Sequence, residues 1–210
     1  MVMLMQQLYR YIRSGMFNAF CGLQAEPLES LLSRCDQLDL RFADWDRDLG
    51  AGSFWDLTAI VALTKLINPA VCFEIGTGQG RTTLHLALNT RPDTQIHTLD
   101  VSNSDETGCM FRGKTEASKI TSWTGDSRTF DYSQWKHEVD FVYVDGSHDY
   151  EAVRLDSAVG FELVAKGGCI IWDDFIPSWP GVARALRESP RAGLLRRVVG
   201  TKLVCYFEPA

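Results

Sequence analysis

Between Trp55 and Phe207 the chain alternates two hydrophobic patterns. Short unbroken apolar runs read as strands buried on both faces; apolar positions recurring every three or four residues read as amphipathic helices. Leu57, Ile60, Val61, Leu63 and Ile67 predict a helix that stops at Asn68-Pro69. Val71 to Ile75 reads as a strand, followed by Gly76-Thr77-Gly78-Gln79-Gly80 and a helix through Asn89. Gln95 to Leu99, Lys119 to Trp123, Val139 to Val144 and Cys169 to Trp172 read as further strands. They end at Asp100, at Gly125-Asp126, at Asp145 and at Asp173-Asp174. Ala152, Leu155, Val159 and Leu163 mark the expected inner face of a helix before Gly167-Gly168, and Val182 to Glu188 predicts another helix. Arg196 to Val199 and Lys202 to Phe207 flank Gly200-Thr201 as a closing antiparallel hairpin.

Strands alternating with helices in this way imply an α/β fold, a mostly parallel sheet covered on both faces. Such sheets bind ligands at the carboxyl ends of their strands, near the point where strand order reverses. Glu74, Asp100, Asp126, Asp145, Asp173 and Asp174 all lie at or just beyond predicted strand ends, so they should meet on one edge.

The segment before Phe54 is different. Met1, Leu4, Met5, Leu8, Ile12, Met16 and Phe20 predict an amphipathic helix, and Leu28, Leu31, Leu32, Cys35 and Leu38 a second one opened by Pro27. Arg41 to Gly52 is polar and turn-rich and reads as a loop. Residues 1–54 are therefore expected to form a helical extension and 55–210 the main domain. The first helix is expected to pack on that domain or on a second copy, as a homo-oligomer contact.

At 210 residues the chain is one domain with a small appendage, since domains average about 150 residues. A net charge of −6, with no larger basic cluster than Arg191, Arg196 and Arg197, argues against a nucleic-acid partner. No apolar run reaches the ~18 residues of a membrane span, and Arg10 and Arg13 follow the first apolar residues instead of preceding them as in a signal peptide. The six cysteines include no Cys-x-x-Cys pair. Cys72, Cys169 and Cys205 fall in predicted strands as small buried hydrophobes, so all are read as reduced and the compartment as cytoplasmic.

The glycine loop after Glu74 lets a ligand approach backbone closely and lies against helix N–H groups. It fails the dinucleotide pattern G-x-G-x-x-G, because Arg81 stands where the third glycine belongs. That tells against a nucleotide-dependent oxidoreductase. Asp100 follows by about 20 residues, the spacing at which an acid accepts ribose hydroxyls.

Acidic-x-G-x-G-x-G, here Glu74 to Gly80, resembles the loop of class I S-adenosylmethionine-dependent methyltransferases. The segment VDFVYVDGSHDYEAVRLDSAVGFELVAKGGCIIWDDF, Val139 to Phe175, closely resembles their O-methyltransferase branch with a V-D-G-x-H segment. Catechol-type and macrolide-sugar O-methyltransferases are relatives of this kind. The resemblance covers Phe54 to Phe207 and implies a Rossmann-like, seven-stranded sheet whose last strand is antiparallel. It implies S-adenosylmethionine held by Glu74, Gly76, Thr77, Gly78, Gly80, Asp100, Asp126 and Ser127, with Thr82 within reach of its methionine carboxylate and Asp126-Ser127 at the adenine edge. It also implies a divalent cation, Mg²⁺ by ligand type, on Asp145, Asp173 and Asp174. This chain has two acids where the catechol-type pattern has an acid–amide pair. His148 occupies the slot of the catechol-type lysine base and, as a histidine, is expected to take the proton of a small-molecule hydroxyl near neutral pH. Trp55, Trp172 and Trp179 are candidate walls of the site. The alternatives are metal-independent transfer to oxygen or nitrogen through His148, and a non-catalytic cofactor-binding protein of the same fold.

Overall fold

The computed structural model describes residues 22–32, 38–43 and 54–210. The expected helix over residues 1–20, Cys21, Cys35 and most of the 41–52 loop lie outside the described residues, and with them the expected oligomer contact. Eight strands form one sheet: β1 (Gln24–Glu26), β2 (Val71–Ile75), β3 (Gln95–Asp100), β4 (Ile120–Thr124), β5 (Val139–Val144), β6 (Val164–Trp172), β7 (Arg196–Val198) and β8 (Val204–Phe207). Five α-helices accompany them among the described residues: α1 (Leu28–Leu31), α2 (Phe54–Ile67), α3 (Arg81–Asn89), α4 (Tyr150–Leu163) and α5 (Pro180–Arg187).

The strand order is β1-β7-β8-β6-β5-β2-β3-β4. Strands β2 to β6 pair in parallel, and β8 runs antiparallel to both β6 and β7. This is the Rossmann-like methyltransferase sheet, with the expected closing hairpin in place. It carries one strand more than expected, because β1 pairs in parallel with β7 at the edge. The segment read as a helical extension therefore adds a strand to the sheet, and of its second helix only the single turn α1 falls among the described residues.

Side-chain alternation explains why the apolar runs are unbroken. Phe73, Val142 and Ile170 pack into one core cluster, while Cys72, Phe141 and Ile171 pack into the other, on the opposite face. Neighbours along each strand thus bury in opposite directions, each large side chain contributing about 1.5–3 kcal/mol of transfer free energy. Cys72, Cys169, Cys205 and the exposed Cys109 are free thiols. Burial pushes the thiol of Cys205 up to about 12, so it behaves as a hydrophobe.

Helix α4 departs from expectation. Its buried face is Val153, Asp156, Ser157, Gly160 and Leu163, not the stripe through Ala152, Leu155 and Val159. The inward polar groups explain the rotation: Ser157 Oγ accepts the indole N–H of Trp172 at 2.9 Å, and Asp156 bonds the side chain of Ser127. Among the described residues no helix is long and apolar enough to cross a membrane.

Candidate active site

Strand order reverses between β2 and β5, whose carboxyl ends lie side by side. The chain leaves β2 through Gly76, with φ +99°. A Cβ there would lie 2.0 Å from the carbonyl oxygen of Asp145 and 2.9 Å from Gly146 N, so only glycine lets the loop after β2 touch the loop after β5. The glycine loop and the acids beyond β5 are in contact for this reason.

Three hydroxyls and two carboxylates fix the glycine loop. Glu74 is 1% exposed, and its Oε2 accepts the hydroxyls of Thr83, in the first turn of α3, and Thr98, on β3. With its proton on Glu74, Thr98 Oγ1 accepts from Thr77 Oγ1 at 2.6 Å. Burial raises the Glu74 pKa from 4.5 to about 7, against the pull of the two hydroxyls. Through these bonds Glu74, expected as a cofactor contact, braces the loop from behind. Asp100 ties the loop from the front. Its Oδ2 accepts Gly78 N–H and its Oδ1 accepts Ser102 N–H, both at 2.8 Å. Each oxygen keeps a lone pair for another donor. The segment after β3 then crosses the loop, with Gly108 N–H on Gly78 O and Met110 N–H on Gln79 O.

Asp126, just past β4, is held by Arg128, whose Nη2 lies 2.5 Å from Oδ2. That guanidinium keeps the Asp126 carboxyl low, at about 2. Ser127 beside it is half-buried, as is Thr82 in the first turn of α3.

The acids after β5 and β6 meet as expected, with an added cation. Tyr143 Oη lies 2.9 Å from Asp173 Oδ2 and 3.4 Å from Asp145 Oδ2. Lys202, from the turn before β8, places its Nζ 2.5 Å from Asp174 Oδ1 and 3.2 Å from Asp173 Oδ1. Its own backbone is fixed on both sides: its N–H donates to Asp56 Oδ1 and its carbonyl accepts Phe175 N–H, both at 2.9 Å. Burial raises the Asp145 pKa well above its ordinary value, as do Asp173 and Asp174, with Lys202 opposing. Burial also raises Asp173, again against Lys202. Burial disfavours the Lys202 ammonium, yet Asp173 and the bond to Asp174 hold its pKa above the ordinary value.

His148 completes the group. Its Nε2 lies 2.7 Å from Asp174 Oδ2, but the two are not aligned as a hydrogen bond, and this buried nitrogen has no hydrogen-bond partner. Asp145, His148 and Asp174 offer ligand atoms that all lie within 4.8 Å of one another. Asp173, the remaining expected ligand, contacts Tyr143 and Lys202. Trp179 stacks on the imidazole at 4.1 Å and 15° and is 41% exposed. Trp55 is 62% exposed at the start of α2, whereas Trp172 is 1% exposed and belongs to the core.

Thr83, Thr98, Tyr143 and Lys202 were not singled out in the sequence. The threonines and the tyrosine sit in ordinary helix and strand patterns, and a lysine in a hairpin turn reads as a solvated charge.

Residues 73–175 match a family model described as a methyltransferase domain. No curated protein sequence matches the chain. Among solved structures it is similar to the O-methyltransferase TomG from Streptomyces achromogenes, involved in tomaymycin synthesis and solved with S-adenosylmethionine. The TM-score is 0.61 at 15% identity, covering 96% of this chain and 98% of that one. It is also similar to a putative O-methyltransferase from Klebsiella pneumoniae, with a TM-score of 0.57, 13% identity, and 87% and 96% coverage. An O-methyltransferase from Bacillus cereus, in complex with S-adenosylhomocysteine, gives a TM-score of 0.57 and 16% identity over 86% and 90% of the two chains.

Proposed function

From the match of residues 73–175 to a methyltransferase-domain model and the shared Rossmann-like fold, we propose that the chain is a class I S-adenosylmethionine-dependent methyltransferase that moves the sulfonium methyl to a hydroxyl of a small molecule. The observation that carries this reading is the contact of Gly76 with Asp145, which joins the cofactor loop to the group able to receive an acceptor. The sulfonium is already a strong electrophile, so the protein's work is to align the acceptor and remove its proton.

In this reading the backbone of Gly76, Thr77, Gly78 and Gly80 lies along the cofactor, and Asp100 uses its spare lone pairs for the ribose hydroxyls. Thr82 meets the methionine carboxylate, and Asp126 and Ser127 flank the adenine. Glu74 acts indirectly, by holding Thr83 and Thr98. Trp179 and Trp55 form the exposed aromatic walls of the acceptor site.

The donor set fits a divalent cation. The buried His148 Nε2 has no hydrogen-bond partner and sits beside Asp174 Oδ2 without bonding it, as two ligands facing a shared point do. Asp145, His148 and Asp174 would hold the ion, with Mg²⁺ or Mn²⁺ suited to the carboxylates. When bound, it would orient the acceptor hydroxyl and lower its pKa. Tyr143 and Lys202 keep Asp173 and Asp174 in place behind it.

A second reading dispenses with the ion: His148 Nε2 takes the hydroxyl proton and Asp174 stabilises the imidazolium. The observation favouring it is Lys202, which already places one positive charge on the acid pair. Transfer of labelled methyl from S-adenosylmethionine to a panel of hydroxylated acceptors separates the two. Activity lost in chelator and restored by Mg²⁺ supports the first reading, and activity indifferent to chelator the second. Cofactor binding with no transfer to any acceptor would leave a non-catalytic binding protein.

A further inference from the structure

The Lys202 ammonium contacts both acids after β6, Asp173 and Asp174. Arg81 faces Asp56 and Tyr143, at the margin of the same group. The ammonium is no chance visitor from solvent. The Lys202 backbone is clamped between Asp56 of α2 and Phe175, immediately after Asp174. Its side chain is only 25% exposed. Asp174 lies in the left-handed region, φ +58°, a conformation aspartate tolerates better than most residues. Its two oxygens divide their contacts: Oδ1 to Lys202 and Oδ2 toward His148.

We propose that Lys202 is a resident counter-cation that occupies one side of the acid group and weakens its hold on a divalent ion. A dication bound through Asp174 Oδ2 would share one carboxylate with an ammonium on Oδ1. At that separation the two positive charges repel strongly in a partly buried site. The ion is therefore held loosely and exchanges readily, while the acid group stays folded without it because Lys202 offsets part of its charge. The inference rests on the divalent-cation reading above, but concerns a binding property that exists without methyl transfer.

The test is Mn²⁺ binding to the full chain, followed by electron paramagnetic resonance, with the melting temperature measured alongside. Lys202→Met and Lys202→Gln both remove the charge, and the second keeps a polar tip if the first folds poorly. Each should bind Mn²⁺ at least tenfold more tightly than wild type. Each should melt lower than wild type without the ion and recover as Mn²⁺ is added, because a ligand of the native state stabilises it by mass action. Lys202→Arg, which keeps the charge, should bind Mn²⁺ as wild type does. Uncharged variants that bind Mn²⁺ no more tightly than a binding wild type would overturn the role of Lys202 alone. Absence of Mn²⁺ binding in every form, with S-adenosylhomocysteine binding intact, would overturn it together with the cation reading.

Discussion

Replacing Gly76 by alanine tests the contact on which the site is built. Two costs add. A non-glycine residue at φ +99° stores strain of about 1–3 kcal/mol. The new methyl would also lie 2.0 Å from Asp145 O, and overpacking of this kind costs about 1–3 kcal/mol. Because the opposing atoms are backbone, no rotamer change relieves the overlap, and the two loops must separate. The sum is about 4 kcal/mol. At about 3 °C per kcal/mol for a chain of this size, the melting temperature should fall by about 12 °C. Gly78→Ala is the control: it too has positive φ, +48°, but nothing lies within 4 Å of its added methyl. Only the left-handed cost of about 1–2 kcal/mol applies there, a drop of about 4 °C. Differential scanning fluorimetry of the two variants at one pH reads the difference directly. A Gly76→Ala protein that melts no lower than Gly78→Ala would show that the two loops do not touch as described.

Glu74 gives a pH signature. The folded carboxyl holds its proton up to about 7 while the unfolded one releases it near 4.5, so the folded state binds more protons between these values and its stability falls as pH rises through them. The contribution present below pH 4.5 and lost above 7 is about 3 kcal/mol; Glu74→Gln should therefore gain on wild type as pH rises from 5 to 8, and denaturant melts with a constant gap at both pH values would contradict the assignment. Asp100→Ala removes the acceptor of Gly78 N–H and the proposed ribose ligand, and should weaken S-adenosylhomocysteine by about 1–3 kcal/mol in calorimetry. In the ion-free reading, His148→Ala should lower turnover by roughly 10²–10⁴, the loss of a general base, with cofactor affinity unchanged, whereas in the divalent-cation reading it should also weaken Mn²⁺ binding; full activity would set both roles aside.

Much of this architecture could be read from the chain because its signals are local. The acid–glycine loop is contiguous, and each of the five central parallel strands, β2 to β6, carries a carboxylate at or just beyond its end, so placing these strands also placed Glu74, Asp100, Asp126, Asp145, Asp173 and Asp174. The same locality hid other features. Lys202 meets Asp174 from 28 positions away and Asp56 from 146, and no spacing rule links a hairpin lysine to either. The inner face of α4 was misplaced because Asp156 and Ser157 point inward, to Ser127 and Trp172, where periodicity counts only apolar residues. Strand β1 escaped notice because Gln24-Ala25-Glu26 lacks apolar alternation; it is held by pairing with β7 at the sheet edge, and backbone hydrogen bonds leave no mark on side-chain identity. Glu74 lies where the motif puts it, but its burial against Thr83 and Thr98 could not be read from spacing.

Isothermal titration of the full chain with S-adenosylhomocysteine, run beside NAD, tests the central claim most directly. The glycine loop, with Arg81 next to it and Asp100 at the end of the following strand, should bind S-adenosylhomocysteine at one site per chain and leave NAD without measurable heat. Binding of NAD with no response to S-adenosylhomocysteine would contradict the methyltransferase reading.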